Sequence, residues 1–282
     1  MYDKIKKTIV VHSLSLFVKE ELFMNKNDET MRVMRVAAHR GFCAKYPENT
    51  MEAFKAAIAV GADEIETDVR MSADGELVLI HDHTVERTTN GTGFVREKTL
   101  AELRALDAGV KMGAEFAGAK IPTLREFLEL VKDTDMTVDI ELKEYPTEGN
   151  EEVAYLACDK TIAMLDEYGF ANRCVINSWN GKLNEYVFEK YGDRYKQHVY
   201  YPPKHLGECK IDPYSYAYCA CLCNDRPESY EYLRSRGVQP WVGAGVNTEE
   251  KIDYAIANGA RLVTCNDPEV ILAILRKKGM HK

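Results

Sequence analysis

Glu66 and Asp68 stand two residues apart in "EIETDV", so on a strand both carboxylates point to one side. Acidic groups inside a packed strand are unfavourable unless a cation compensates them. "DIELK" repeats the pattern, with Glu141 and Lys143 on one face at the end of another apolar run. Three carboxylates with no cysteine or histidine paired among them make an oxygen-rich set suited to Mg2+ or Ca2+. His39 and His81 each close an apolar run, and Arg40 follows His39 directly. Imidazole titrates near neutral pH, so two such rings flanking a metal-bound phosphate can serve as base and acid. The plain alternative is a set of rim salt bridges among Arg40, Glu66, Asp68, Glu141 and Lys143, with each histidine satisfied by a backbone partner.

Other candidates carry less. His83 competes with His81 but stands beyond the expected end of its strand, and His12, His198, His205 and His281 lack a charged constellation and are read as background. Cys43 lies close to His39, with no helix N-terminus or second base evident beside it to activate the thiol. In "YAYCACLC", Cys219, Cys221 and Cys223 share one strand face and are read as small buried thiols rather than soft-metal ligands. The chain has no G-x-S-x-G elbow, no H-E-x-x-H and no phosphate loop ending in Gly-Lys-Ser/Thr.

Nine short β-branched or apolar runs must position these groups: 35–39, 64–69, 77–81, 137–143, 174–178, 198–201, 218–223, 240–243 and 261–265. Helical patterns fill most gaps, at 50–60, 123–132, 153–168, 182–191, 228–236, 248–258 and 268–277. The first has Asn49 as its N-cap, with Glu52 three residues on. Strand and helix in alternation imply parallel pairing through right-handed crossovers. Residues 70–76 are too few for a crossover, so the second and third runs form an antiparallel hairpin around Asp74-Gly75, a two-residue type I′ loop. Taking Ala73 opposite Glu76 places Asp68 across from His81 and His83 across from Glu66. Eight parallel strands remain, the number a TIM-type (β/α)8 barrel requires. Residues 82–120, with one short helical pattern "TLAELRAL", read as an insertion at the rim after the strand ending at His81.

The 282 residues suffice for one such barrel, spanning 34–282, with 45% hydrophobic residues to fill its core. A net charge of −8 argues against nucleic-acid binding through a broad basic field. Eight cysteines without a C-x-x-C pair read as reduced thiols, and a cytoplasmic location is expected. Residues 1–33 read as an appendage, a docking helix or a disordered tail. Their run "TIVVHSLSLFV" lacks a small-x-small cleavage site and falls short of the ~20 residues a bilayer span needs. No integral membrane span is expected, and the oligomeric state is left open.

The chain resembles the glycerophosphodiester phosphodiesterase family in "HRG" with "PENT", in "GADEIETDVRMSADGELVLIHDHTVERTTNGTG", and in "IPTLREFL" and "IELK". The likeness is dense over residues 37–143 and looser in "NSWN", "PWVGAGVN" and "LVTCNDP". It implies a TIM-type barrel that hydrolyses glycerophosphodiesters, small-molecule substrates, to glycerol 3-phosphate and an alcohol with a divalent cation. His39 and His81 would be the acid/base pair, Glu66, Asp68 and Glu141 the metal ligands, and Arg40 and Lys143 the phosphate contacts. The segment after His81 would be the family's insertion. Departures at Ser178-Trp179, Trp241–Asn247 and Thr264–Asp267 fall where the alcohol moiety is expected, and bear on specificity.

Trp241 either stacks on substrate or packs the barrel mouth, since aromatics do both. The tyrosines of "DRYKQHVYYPPKH" fit a choline cage or ordinary loop packing, and Phe94 and Phe116 of the insertion offer peripheral lipid contact. A lysophospholipase D using the same machinery on monoacyl lipids is the rival enzyme. A non-catalytic phosphodiester-binding protein is the rival of another class.

Overall fold

The computed structural model describes residues 33–282, so the reading of residues 1–32, His12 included, lies outside the described residues. Eight parallel strands form a closed barrel: β1 (Arg35–His39), β2 (Glu64–Met71), β4 (Thr137–Leu142), β5 (Cys174–Asn177), β6 (Lys196–Tyr201), β7 (Cys219–Leu222), β8 (Gln239–Val242) and β9 (Leu262–Cys265). Closure comes from β1, which pairs with β2 on one side and β9 on the other. The exception is β3 (Leu77–Leu79), antiparallel to β2.

The helices pack outside: α1 (Met51–Val60), α3 (Leu124–Val131), α4 (Glu151–Glu167), α5 (Gly181–Tyr191), α6 (Pro227–Ser235), α7 (Glu249–Ala257) and α8 (Pro268–Lys277). Two large apolar clusters fill the space between helices and barrel, around Phe54, Phe127 and Ile140 on one side and Val36, Val263 and Leu272 on the other. Side chains alternating inward from the strands make a separate plug of Ala37, Val175, Cys219, Trp241 and Leu262. Between β3 and α3, a short helix α2 (Leu100–Ala105) and two 3-10 turns pack Val85, Val95, Leu103 and Ala108 onto Val78 and Ile80. Thr99 and Thr123 close capping boxes at the starts of α2 and α3.

The hairpin differs from the expected one. Arg70 pairs with Val78 and Ser72 N–H donates to Glu76 O, so the loop is Ala73-Asp74-Gly75, with Gly75 at φ +80. Ser72 stabilises the longer loop, its hydroxyl donating to Asp74 and accepting from Glu76 N. One residue more in the loop shifts the register by one: Ile80, not His81, meets Asp68, and Ile80 N donates to Asp68 O. His83 accordingly leaves the site, stacking on Phe94 at 5.6 Å. The cap of α1 is also corrected. Thr50 accepts from Ala53 N, and Asn49, at φ +54, turns its side chain into the barrel mouth.

Candidate active site

Glu66, Asp68 and Glu141 come from the adjacent strands β2 and β4, where Asp68 pairs directly with Glu141. Each offers an oxygen within 4.8 Å of the other two, and all three are buried. Burial, then the charges of Asp68 and Glu141, push the Glu66 carboxyl well above its ordinary range. Burial raises Glu141 to about 7, against the pull of Lys143. Asp68 is the exception: burial works to raise it, but Lys143 and Arg40 outweigh that and hold it low. Asp68 Oδ1 is fully buried and accepts no hydrogen bond. Three buried carboxylates offering converging hard oxygens fit a divalent cation.

The cationic groups are drawn to the same place. Lys143 Nζ donates to Glu141 Oε1 at 2.6 Å and lies 3.3 Å from Asp68 Oδ1. Arg40 Nη1 donates to Glu48 at 2.8 Å, and its Nε lies 3.3 Å from Asp68 Oδ2. The sharp turn that aims Arg40 explains the His-Arg-Gly order. Arg40 and Gly41 both adopt the left-handed region, at φ +54 and +78, which brings Arg40 N–H to Glu66 Oε2 at 2.9 Å. A Cβ on Gly41 would stand 2.7 Å from the Ala53 carbonyl carbon. Gly41→Ala is therefore expected to destabilise the fold by roughly 2 to 4 kcal/mol, read as a lower denaturation midpoint.

His39 and His81 both border one cavity of about 380 Å³, together with Arg40, Glu66 and Glu141. His39 Nδ1 donates to Asn266 Oδ1 at 2.6 Å, and His81 Nδ1 to Asp82 Oδ1 at 2.6 Å. In the neutral rings each Nε2 is then a lone pair, and that of His39 lies 3.9 Å from Glu66 Oε2. Burial is the first cause lowering both imidazoles below their usual range, Arg40 adding to it at His39 and Lys143 at His81.

Several groups of the site were not assigned to it from the sequence. Asn49 Nδ2 donates to Asp68 Oδ2 at 2.8 Å while Asn49 Oδ1 accepts from Thr67, which fixes the carboxylate. Arg87 of the 82–120 segment binds Glu48 with two nitrogens, at 2.7 and 2.8 Å, and Asp82 at 2.6 Å. An unbroken chain thus joins Arg40, Glu48, Arg87, Asp82 and His81. The bidentate fork gives it fixed geometry.

His198 is not background: it is buried, lines the cavity, and its Nδ1 donates to Asp139 Oδ2 at 2.8 Å. The available signal was Asp139 itself, a second acid two residues before Glu141 in "DIELK" and so on the same strand face. His281 also has a carboxylate partner, Asp63 at 2.8 Å, outside the cavity lining.

Trp241 does not border the cavity. It is fully buried, donates from Nε1 to Thr264 at 2.6 Å and stacks on His198, so as placed it packs the barrel rather than meeting substrate. Cys219 is buried, but Cys221 lines the cavity and Cys223 is exposed, which corrects the reading of three buried thiols. Burial pushes the Cys43 thiol up to about 12, which makes it a poor nucleophile. Of the tyrosines, Tyr201 packs on Tyr214 and Tyr232, and Tyr200 alone reaches the cavity, under Trp179.

Comparison with known proteins agrees with this geometry. Residues 39–202 match the model of the glycerophosphoryl diester phosphodiesterase family. A glycerophosphodiester phosphodiesterase of Caldanaerobacter subterraneus subsp. tengcongensis is 40% identical over 255 residues, 86% of this chain and 98% of the relative. One from Bacillus altitudinis is 39% identical over 149 residues, 52% of this chain and 58% of its own length. Among solved structures, a glycerophosphodiester phosphodiesterase from Agrobacterium tumefaciens superposes with a TM-score of 0.71 at 27% identity, covering 85% of this chain and 99% of that one. With the closed barrel, the acidic triad and a relative matched over nearly its whole length, the chain belongs to the glycerophosphoryl diester phosphodiesterase family.

Proposed function

We propose that the protein hydrolyses glycerophosphodiesters to glycerol 3-phosphate and an alcohol, with Mg2+ or Ca2+ held by Glu66, Asp68 and Glu141. The observation that carries this reading is a buried cluster of Glu66, Asp68 and Glu141, of which Glu66 and Glu141 border the same cavity as the two imidazoles. When bound, the cation supplies Lewis acidity and charge toward the phosphoryl oxygens. Arg40 and Lys143 add positive charge beside it, where negative charge builds as the diester reacts. His39, with a neutral partner in Asn266 and Nε2 bare, suits the base that takes the proton of the attacking oxygen, whether of water directly or of the glycerol 2-hydroxyl with water then opening the cyclic phosphate. His81, whose imidazolium the Asp82 carboxylate would stabilise once Nε2 carries a proton, suits the acid that protonates the departing alkoxide as its P–O bond breaks.

Small diesters fit better than monoacyl lipids. Phe94, Val110 and Met112 of the 82–120 segment are exposed, yet none of them lines the cavity, and Phe116 packs on Tyr46. No helix among the described residues is long and apolar enough to cross a membrane. All eight cysteines are free, which supports a reducing compartment, and we place the protein in the cytoplasm. A panel of glycerophosphocholine, glycerophosphoethanolamine and their monoacyl counterparts tests the substrate class. The deacylated diesters are expected to give the higher kcat/KM; preference for the acylated ones would make the protein a lysophospholipase D, and tight binding without turnover of any would make it a binding protein.

A further inference from the structure

The cavity has a floor that the hydrolytic groups do not use. Asp139 and His198 each lie two residues before a rim group on the same strand, Glu141 and Tyr200, which sets them one inward step deeper, about 7 Å. His198 is 2% exposed and cannot swing. Its ring lies flat on Trp241, with centroids 4.2 Å apart and planes 6° apart, and its Nδ1–H is committed to Asp139. Three buried atoms are left without a hydrogen-bond partner: His198 Nε2, Asn177 Oδ1 and Asp139 Oδ1. The residues that carry them all border the cavity.

Buried polar atoms without partners are uncommon and costly, so each needs an explanation. With its proton on Nδ1, toward Asp139, a neutral imidazole presents a lone pair at Nε2, and the two oxygens are acceptors in any state that leaves Asp139 ionised. The floor therefore calls for a ligand that donates. A phosphoryl or carboxylate oxygen brings only lone pairs and is repelled there, whereas a polyol brings O–H donors and C–H faces. The wall suits the latter, since Trp179 stacks on Tyr200 at 3.5 Å and both line the cavity.

We infer that Asp139, Asn177 and His198 form a hydroxyl-reading subsite, and that His198 Nε2 is a specificity-determining acceptor for a free hydroxyl on the glycerol end of the substrate. Naming the glycerol end rests on the hydrolytic reading above; the acceptor floor does not. Asp139 acts through His198, holding its tautomer, and Trp241 fixes the ring plane.

The test compares sn-glycerol 3-phosphate with n-propyl phosphate, which lacks both hydroxyls, by calorimetry with Mg2+ present throughout. Wild type is expected to bind the hydroxylated ligand about 10- to 100-fold more tightly, and His198→Phe, which keeps the stack but not the acceptor, to cut that preference at least tenfold. Propyl phosphate affinity is expected to change less than threefold in the variant. The His198 Nε2 nitrogen-15 resonance of the wild-type protein supplies a second reading that needs no variant: it should shift with glycerol 3-phosphate and stay in place with propyl phosphate. Equal affinity of wild type for the two ligands, an unchanged preference in a folded His198→Phe protein, or a resonance that ignores both would overturn the assignment. Turnover of glycerophosphoethanolamine is measured alongside. Selective binding without turnover would sink the hydrolytic reading and leave the subsite standing, while turnover without selectivity would do the reverse.

Discussion

Replacing His39 by alanine is expected to lower kcat on glycerophosphoethanolamine by about 10²- to 10⁴-fold, the range that a positioned proton-transfer group contributes. KM should move far less, because on the proposed reading the phosphoryl oxygens would be met by Arg40, Lys143 and the cation rather than by this ring. The side chain is 26% exposed, so its truncation leaves no sealed void in the core and the fold should survive. An unchanged circular dichroism spectrum with kcat lowered by that factor is the result that fits. A folded His39→Ala protein keeping a third or more of wild-type kcat would remove His39 from the chemistry, and with it the pairing of the two imidazoles.

Much of this was legible in the chain because inward-facing strand positions recur with period two. Glu66 with Asp68 and Glu141 with Lys143 could be placed on one face from spacing alone, and the barrel brings them together. Loop chemistry was harder. Asp74-Gly75 fits two hairpin loops, and the choice between them was made by Ser72, whose hydroxyl bonds span four residues. Partners remote in sequence were invisible: Asp139 and His198 are 59 residues apart, and only strand order sets them two strands from each other around the barrel. Asn49 misled for a related reason. Its residue type suits a helix cap, and its left-handed backbone, which releases the side chain toward Asp68, leaves no mark in the local sequence.

The second large effect is a reversal of sign. Metal-free protein should lose stability as pH rises: Glu141, titrating at about 7 when folded, and Glu66, raised well above its ordinary range, hold protons that the unfolded chain gives up near 4.5. The stabilisation is present in full below about pH 4.5 and is lost as pH climbs through 7 and beyond. Glu66→Gln removes one buried charge from the cluster, so metal-free Glu66→Gln should melt higher than wild type at pH 8 and match it more closely at pH 5. The same substitution takes away a proposed ligand, and should weaken divalent-cation binding by at least 10- to 100-fold and turnover with it. Thermal melts at both pH values, with and without excess Mg2+, separate the two effects. A variant that melts lower than wild type without metal at pH 8 would mean that the triad is held together by its hydrogen bonds and not kept apart by its charge.

The most direct measurement follows phosphorus-31 resonances while glycerophosphoethanolamine is incubated with chelator-treated protein, before and after a divalent cation is added back. Disappearance of the diester signal and growth of glycerol 3-phosphate only once Mg2+ or Ca2+ is supplied is the predicted outcome. Conversion at full rate in excess EDTA, or no conversion with any divalent cation, would contradict it.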